Sequence, residues 1–330
     1  MPIPYTAGLH RLTEHSYAYL QPPGSWGRSN CGLVVDAVGG ATAALVDTPF
    51  TLGLTRRMLE TIRAALPEVT ITTVINSHAN GDHCWGNQLL PGVEIVGSAV
   101  AAAAMPHEIG PDGMRRMVTE TAPQSPLGDY MRRFFGDYDW SGIVLTPPTR
   151  TFTGTTTVDL PGAPVEVIEV GPAHTTGDVI AVSADGVVFA GDILFVGDHP
   201  VMWTGPIDNW VSACSRILDT GATTIVPGHG PVTDRAGVVE FRDYLQRVGE
   251  YAIRQFQRAV PHTVAADKFD LDRYSGWGHA ERLVVTIGTI YRLLGRDPGD
   301  RATLIDQMAQ LYYRRRARQT STVSGAAPTT

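Results

Sequence analysis

Lysine is almost absent: Lys268 stands alone among 26 basic residues. Schiff-base or lysine-general-base chemistry therefore has one candidate, in a stretch without other site features. Cysteine is also scarce. Cys31, Cys84 and Cys214 are far apart and odd in number, which excludes a disulfide framework or a C-x-x-C zinc clip and points to a reducing compartment. No run approaches the ~20 apolar residues of a membrane helix. The opening MPIPYTAGLHRLTEH lacks the charged start and apolar stretch of a signal peptide, so a cytoplasmic protein with no membrane partner is expected. There is no basic excess either; the net charge of −7 argues against a nucleic-acid partner. Missing too are G-x-S-x-G, G-x-x-x-x-G-K-[ST] and G-x-G-x-x-G, the marks of a nucleophile elbow, a phosphate loop and a dinucleotide fold.

What is present is enough apolar sequence for a sizeable core, 43% of 330 residues. β-rich runs SYAYL, CGLVVDA and ATAALVD open the chain, with Gly39-Gly40 as a hairpin-like turn. TLGLTRRMLETIRAAL repeats apolar residues at helical spacing and stops at Pro67; VTITTVIN follows as a buried strand. After a strand (VEIVG) and an alanine-rich helix, a Met-, Arg- and aromatic-rich insert at 105–141 breaks the alternation and is expected to be helical, as a pocket cover or a surface excursion. Short strands resume with IVLTPP, TFTGTTTVDL, VEVIEVG and DVIAVSADGVVFAGD, then a helix near 207–219 and the strand TTIVPGHG. From about 235 the pattern turns helical. In ERLVVTIGTIYRLLG, Leu283, Ile287, Ile290, Tyr291 and Leu294 form one apolar face with Gly295 as the stop. The Ser/Thr/Ala/Pro-rich tail after Gln319 reads as disordered.

Polar residues recur where apolar strands end. VTITTVIN leads into SHANGDHCWGN, with His78, Asn80, Asp82 and His83; VEVIEVGPA leads to His174, GVVFAG to Asp192 and TTIVPG to His229. Imidazole and carboxylate on loops at one sheet edge can converge on a metal ion while the strands fix their positions. Seven candidates exceed the needs of one tetrahedral ion, so a neighbouring pair of ions is plausible. His10, His15, His107, His199, His262 and His279 lack this context and read as ordinary histidines. Cys84, beside Trp85, reads as a buried thiol. Trp26, Trp85, Phe195 and Trp203 lie near motif residues and are candidates for a broad pocket wall or for core.

These motifs, HANGDH, GPAHTTGD, AGD and PGHG in that order, resemble the metallo-β-lactamase-fold hydrolases over about residues 8–235. The resemblance implies an αββα sandwich of two sheets flanked by helices, a catalytic domain at 1–235 carrying the 105–141 insert, a helical C-terminal extension at 236–318 and the tail at 319–330. It also implies a zinc cofactor, one or two ions. One ion would take His78, position 80 and His174, and the other Asp82, His83 and His229, with Asp192 bridging. Position 80 departs from the pattern, which has histidine there. Asn80 either ligates through its amide oxygen, or leaves the first site empty, or tunes the pair to another metal; an amide is the poorer zinc ligand. Zinc lowers the pKa of bound water to about 7 and polarises a carbonyl, and Asp82 would orient that water or accept its proton. HANGDHCWGNQLLPG, with GWGHAERL and IYRLLG in the helical extension, is similar to the branch that acts in aromatic polyketide biosynthesis as cyclases and thioesterases on carrier-protein-bound chains. The expected partners are thus a small-molecule or acyl substrate and an acyl carrier protein, which the cluster RRRAR at 314–318 could meet unless it is a solvated helix end; the helical extension is a candidate homodimer interface. Rival readings are hydrolysis of another ester, lactone or β-lactam, an iron-dependent thiol oxidoreductase, and a non-catalytic metal-binding module.

Overall fold

In the computed structural model, which describes residues 3–39 and 41–324 with side chains through 318, two sheets face each other between helical layers. The larger contains β1 (Gly8–Arg11), β2 (Ser16–Leu20), β3 (Cys31–Val35), β4 (Thr42–Val46), β5 (Thr70–Ile75), β6 (Glu94–Ser98) and β7 (Arg150–Phe152), side by side in chain order. The first four strands are antiparallel and β4 to β7 are parallel. Of the glycine pair after β3, Gly39 has φ +95° and Gly40 lies outside the described residues. The smaller sheet has the order β12-β11-β10-β9-β8, built from β8 (Thr155–Val158), β9 (Val165–Glu169), β10 (Val179–Ser183), β11 (Val187–Phe189) and β12 (Thr224–Val226). Only β11 and β12 pair in parallel here.

Each layer follows from where the apolar side chains point. Between the sheets, Ala18, Leu20, Val34, Val46, Ile75 and Val96 meet Val165, Val167, Val179, Ala181 and Phe189. On the outer face of the larger sheet, Leu33, Leu45, Val74 and Ile95 cover Met58, Leu59 and Ile62 of α1 (Leu52–Ala65). That helix starts at Thr51, whose side chain accepts from the Leu54 N–H, and ends before Pro67. With both faces covered, β3 and β4 are buried along almost their whole length, which is why they read as near-continuous apolar runs.

Between β5 and β7 come a one-turn helix, α2 (Gly81–Cys84), then α3 (Ala99–Ala104), and the insert, which forms α4 (Pro111–Thr119) and α5 (Pro126–Phe135). Two expectations fail just beyond it. IVLTPP is not a strand: Pro147 and Pro148 have no N–H to give a ladder, and Val144 is 65% exposed. TFTGTTTVDL is not one strand but the crossover between the sheets, with β7 in one, β8 in the other and Gly154 (φ +76°) turning between them.

The outer face of the smaller sheet, with Ile168, Ile180, Val188 and Ile225, packs on α6 (Ile207–Asp219) and α7 (Arg235–Gln257). The same core runs on into α8 (His262–Lys268), α9 (Leu283–Leu293) and α10 (Arg301–Ser324). α9 is buried on every side from Leu283 to Tyr291, where one apolar face was expected, and Leu294 lies exposed past its end. Its Thr286 and Thr289 hydroxyls donate to the carbonyls of Pro200 and Met202, which ties the extension to the loop that flanks His174. α10 continues through Ser324 and so takes in the first residues of the stretch read as a tail; residues 325–330 lie outside the described residues.

Candidate metal centre

All seven sequence candidates meet at the C-terminal ends of β5, β9, β11 and β12. Asp192 is the hub. Its Oδ1 lies 3.1 Å from His83 Nε2 and 3.4 Å from His229 Nε2, and its Oδ2 lies 3.3 Å from His174 Nε2 and 3.9 Å from His78 Nε2. Asp82 Oδ2 stands 3.5 Å from His229 Nε2 and 3.9 Å from His83 Nε2. Asn80 Oδ1 is 3.0 Å from His174 Nε2.

Short, tightly packed turns make this convergence possible. A Cβ at Gly228 would overlap Asp192 Oδ1, and one at Gly81 would enter the Trp85 ring, so both glycines in PGHG and HANGDH are places of close approach. Trp85 in turn stacks on Phe50, ring centres 4.9 Å apart, and fixes the underside of the HANGDH turn. Ser29 Oγ donates to the Asp82 carbonyl.

Each imidazole is aimed by its other nitrogen. His83 Nδ1 meets Asp47 Oδ2 at 2.8 Å, His174 Nδ1 the Val201 carbonyl at 2.7 Å, His229 Nδ1 the Gly24 carbonyl at 3.0 Å, and His78 Nδ1 the Ser77 hydroxyl at 2.9 Å. Val201, Gly24 and Asp47 can only accept, so Nδ1 of those three rings carries the proton and Nε2 faces inward with its lone pair. Asp47 also accepts from the Ser77 N–H and hydroxyl, both at 2.7 Å, and so holds β4 and the HANGDH loop together. It was missed from sequence, although it closes ATAALVD in the same way that Asp192 closes GVVFAG.

The electrostatics are those of a site arranged around positive charge. Burial works to lower the His83 pKa, but Asp192, Asp82 and Asp47 overcome it and hold the ring well above the usual histidine range, so its Nε2 takes a proton wherever no cation takes its lone pair. Burial alone would raise the Asp192 pKa; the rings of His229, His83 and His174 bring it well below the usual carboxylate range. His174, for which burial outweighs Asp192, is lowered to about 3. Buried Nε2 atoms of His78 and His83 and the buried Oδ1 of Asp192 have no hydrogen-bond partner. Orphaned acceptors cost stability in a protein interior unless something satisfies them, and a divalent cation fits that need and this nitrogen and oxygen donor set. Two groups of ligand atoms lie close enough to share an ion: His78, His83 and Asp192, and Asp82, His83 and His229. His174 and Asn80 border the first group. The six remaining histidines lie outside both groups, and Cys84 is a buried thiol donating to the Asn80 carbonyl.

A cleft of ≈ 830 Å³, counting its solvent-open mouth, stands over the metal-facing atoms of Asn80, Asp82, His174, Asp192 and His229. Trp26, Trp85, Phe195 and Trp203 all line it, and Trp85 and Phe195 belong to the core as well. The insert supplies Met114, Met117, Tyr130, Met131 and Phe135, and α10 supplies Arg301, Ile305 and Met308. The insert and the extension are therefore walls of the same cleft. The RRRAR cluster points elsewhere: Arg315 donates to the Ala266 carbonyl at 2.7 Å, and Arg318 pairs with Asp267 at 2.6 Å, both anchoring α10 on α8. Among the described residues, no helix is long and apolar enough to cross a membrane.

Sandwich and site define the class, a metal-dependent hydrolase. The profile of the metallo-β-lactamase superfamily matches residues 24–229, and the chain belongs to that superfamily. Solved structures similar in fold include a metallo-β-lactamase from Pontibacter korlensis, 18% identical with a TM-score of 0.55, over 73% of this chain and 99% of that one. The DIM-1 metallo-β-lactamase is 17% identical with a TM-score of 0.53, over 72% of this chain and 95% of its own. The stereoselective inverting sec-alkylsulfatase Pisa1 from Pseudomonas sp. is 15% identical with a TM-score of 0.67; the match takes in 90% of this chain, which spans about half, 52%, of the sulfatase. No curated protein sequence matches the chain.

Proposed function

We propose that the protein is a zinc-dependent thioesterase and cyclase acting on an aromatic polyketide chain carried as a thioester on an acyl carrier protein. The single observation that carries this reading is the placement of the His/Asp centre on the floor of a cleft walled by aromatic rings and methionines. Flat rings stack on Trp and Phe faces, and flexible thioethers adapt to an extended acyl chain. The nitrogen and oxygen donor set suits zinc.

When bound, the ion would acidify a water and polarise a carbonyl; His78, Asn80, His174 and Asp192 would hold one such ion, and Asp82, His83 and His229 with Asp192 a second. The rest of the work falls to the chain itself. Of the two carboxylates in the metal centre, Asp82 has the greater access to the cleft, 17% exposed against 5% for Asp192, and it would take the proton from the attacking water. In hydrolysis, the water oxygen bonds to the thioester carbonyl carbon, the C–S bond breaks, and the proton ends on the leaving thiol. In ring closure, Asp82 would instead take the proton from the carbon between two carbonyls; the resulting enolate carbon would bond to a ketone carbon of the same chain, and the ketone oxygen would take the proton back from Asp82. Trp26, Trp85 and Trp203 would exclude bulk water and hold the chain folded.

Purified protein should hydrolyse an aryl or β-ketoacyl thioester of a short pantetheine analogue, lose that turnover on chelation and regain it with zinc. Turnover that survives complete metal removal defeats the reading; faster turnover of a β-lactam or a simple ester than of any thioester redirects it to those substrates.

A further inference from the structure

Two hydrogen-bond acceptors face each other across the site. His174 gives its Nδ1 proton to Val201, so the neutral ring presents a lone pair at Nε2. The atom 3.0 Å from that lone pair is Asn80 Oδ1, another acceptor. Asp192 Oδ2, 3.3 Å from the same nitrogen, is a third. With no proton among them, the three repel. A flipped Asn80 amide would relieve the contact with His174 by turning its NH2 inward.

Glu108 forbids the flip. Asn80 Nδ2 donates to Glu108 Oε2 at 3.2 Å, and a carboxylate only accepts; a flipped amide would set oxygen against oxygen there. Glu108 itself is clamped. Arg301, at the first position of α10, binds the same Oε2, and its guanidinium lies 4.2 Å from the Trp203 ring centre. The Trp203 backbone N–H donates to the His174 carbonyl at 2.9 Å. The chain of contacts thus runs from α10 through Arg301, Glu108 and Asn80 and returns through Trp203 to His174.

We infer that Glu108 is a positioning residue that turns the Asn80 amide oxygen toward a cation shared with His174 and Asp192, so that the asparagine serves as a metal ligand only while Glu108 holds it. This rests on the reading of the site as a metal centre. It also gives the helical extension a direct hold on the metal, because Arg301 secures Glu108. Two ligand atoms on one ion, each about 2.0–2.1 Å from it, sit roughly 3–3.4 Å apart, and the separation of Asn80 Oδ1 from His174 Nε2 falls at that distance. Amide binding is ordinarily weak; an outer partner that fixes the amide removes the cost of orienting it.

The test is metal binding by the full-length protein, stripped of metal and titrated with cobalt(II) and with zinc(II) against a chelator of known affinity. Wild type is expected to take two ions. E108L, which keeps the bulk but removes the acceptor, is expected to weaken one of the two by about 10- to 100-fold, to alter the cobalt absorption of that site and to leave the other unchanged. In an Asn80→Asp background both side-chain branches are oxygens, so no flip needs blocking, and Glu108 becomes a repelling neighbour. There E108L is expected to tighten the same ion. A merely structural role for Glu108 would give an equal loss in both backgrounds, and that result, or unchanged affinities throughout, overturns the inference. Should E108L fail to fold, Glu108→Asp keeps the charge with a shorter reach and is expected to weaken the same single site. One ion bound by wild type refutes the Asn80 site while leaving a single-metal hydrolase standing; no ion bound refutes both.

Discussion

Asp47→Asn is a one-atom change with a calculable effect on metal affinity. Asp47 Oδ1 accepts the Ser77 N–H, and Oδ2 accepts both the Ser77 hydroxyl and the His83 Nδ1 proton. An amide in its place has one oxygen, and its NH2 must face one of those donors. If the oxygen stays on the Ser77 N–H, His83 loses its acceptor and is free to turn or change tautomer. Loss of such an outer partner weakens metal binding by about 10- to 100-fold. An ion at 100 times its dissociation constant stabilises the fold by about 2.7 kcal/mol. At the same metal concentration, a tenfold weaker site gives about 1.4 kcal/mol and a 100-fold weaker site about 0.4 kcal/mol. The assay is thermal or urea unfolding of wild type and D47N, each with saturating chelator and with a fixed excess of zinc. The buried unsatisfied donor alone lowers stability by about 1–3 kcal/mol in chelator. The reasoning requires, in addition, that the metal-induced gain shrink by half or more. If D47N is destabilised in chelator but keeps the full gain, Asp47 serves only the fold, and the account of His83 is wrong.

Asp82→Asn should leave the far-ultraviolet spectrum unchanged and lower kcat for thioester hydrolysis by about 10²–10⁴-fold, the usual contribution of a general base; wild-type kcat in that variant would remove Asp82 from the proton path. Truncating Met114 and Met117 together to Ala should raise KM for a bulky aromatic thioester by about tenfold or more, at about 1.5–3 kcal/mol for each fully buried side chain, while a short acyl thioester is hardly affected; equal losses on both would place the insert outside the binding cleft. Acid sensitivity follows from His199. Burial lowers its pKa to about 3, and its Nδ1 bonds the Tyr244 hydroxyl at 2.7 Å, so the folded state binds fewer protons than the unfolded chain between about pH 6.5 and 3. Stability in chelator should therefore fall as pH drops through that window and fall less steeply in His199→Gln; identical slopes would contradict the assignment.

Residues anchored to a strand end were visible in sequence because an apolar strand fixes direction and the polar residues just beyond it must emerge at the sheet edge. His78, His174, Asp192 and His229 all obey this, and so does Asp47, which has no motif around it to attract notice. The glycines of HANGDH and PGHG signal crowding, but only coordinates tell that the crowding partners are Trp85 and Asp192. Glu108 and Arg301 were illegible for a different reason: they are 193 residues apart, in an insert and in a helix whose packing no local pattern encodes. IVLTPP misled because apolar composition outweighed two prolines that cannot donate to a ladder. The extension read correctly as helical, yet its periodicity gave no sign that α10 would wall the cleft with Arg301, Ile305 and Met308, since an apolar face marks what a helix buries and not which partner it meets.

The most direct test of the account is the transition-metal content of the purified protein, determined by elemental mass spectrometry alongside thioester turnover before and after chelation. The account predicts two equivalents of a divalent ion, zinc foremost, with activity that leaves and returns with the metal. A protein that holds no transition metal and turns over its substrate unchanged in chelator would contradict it.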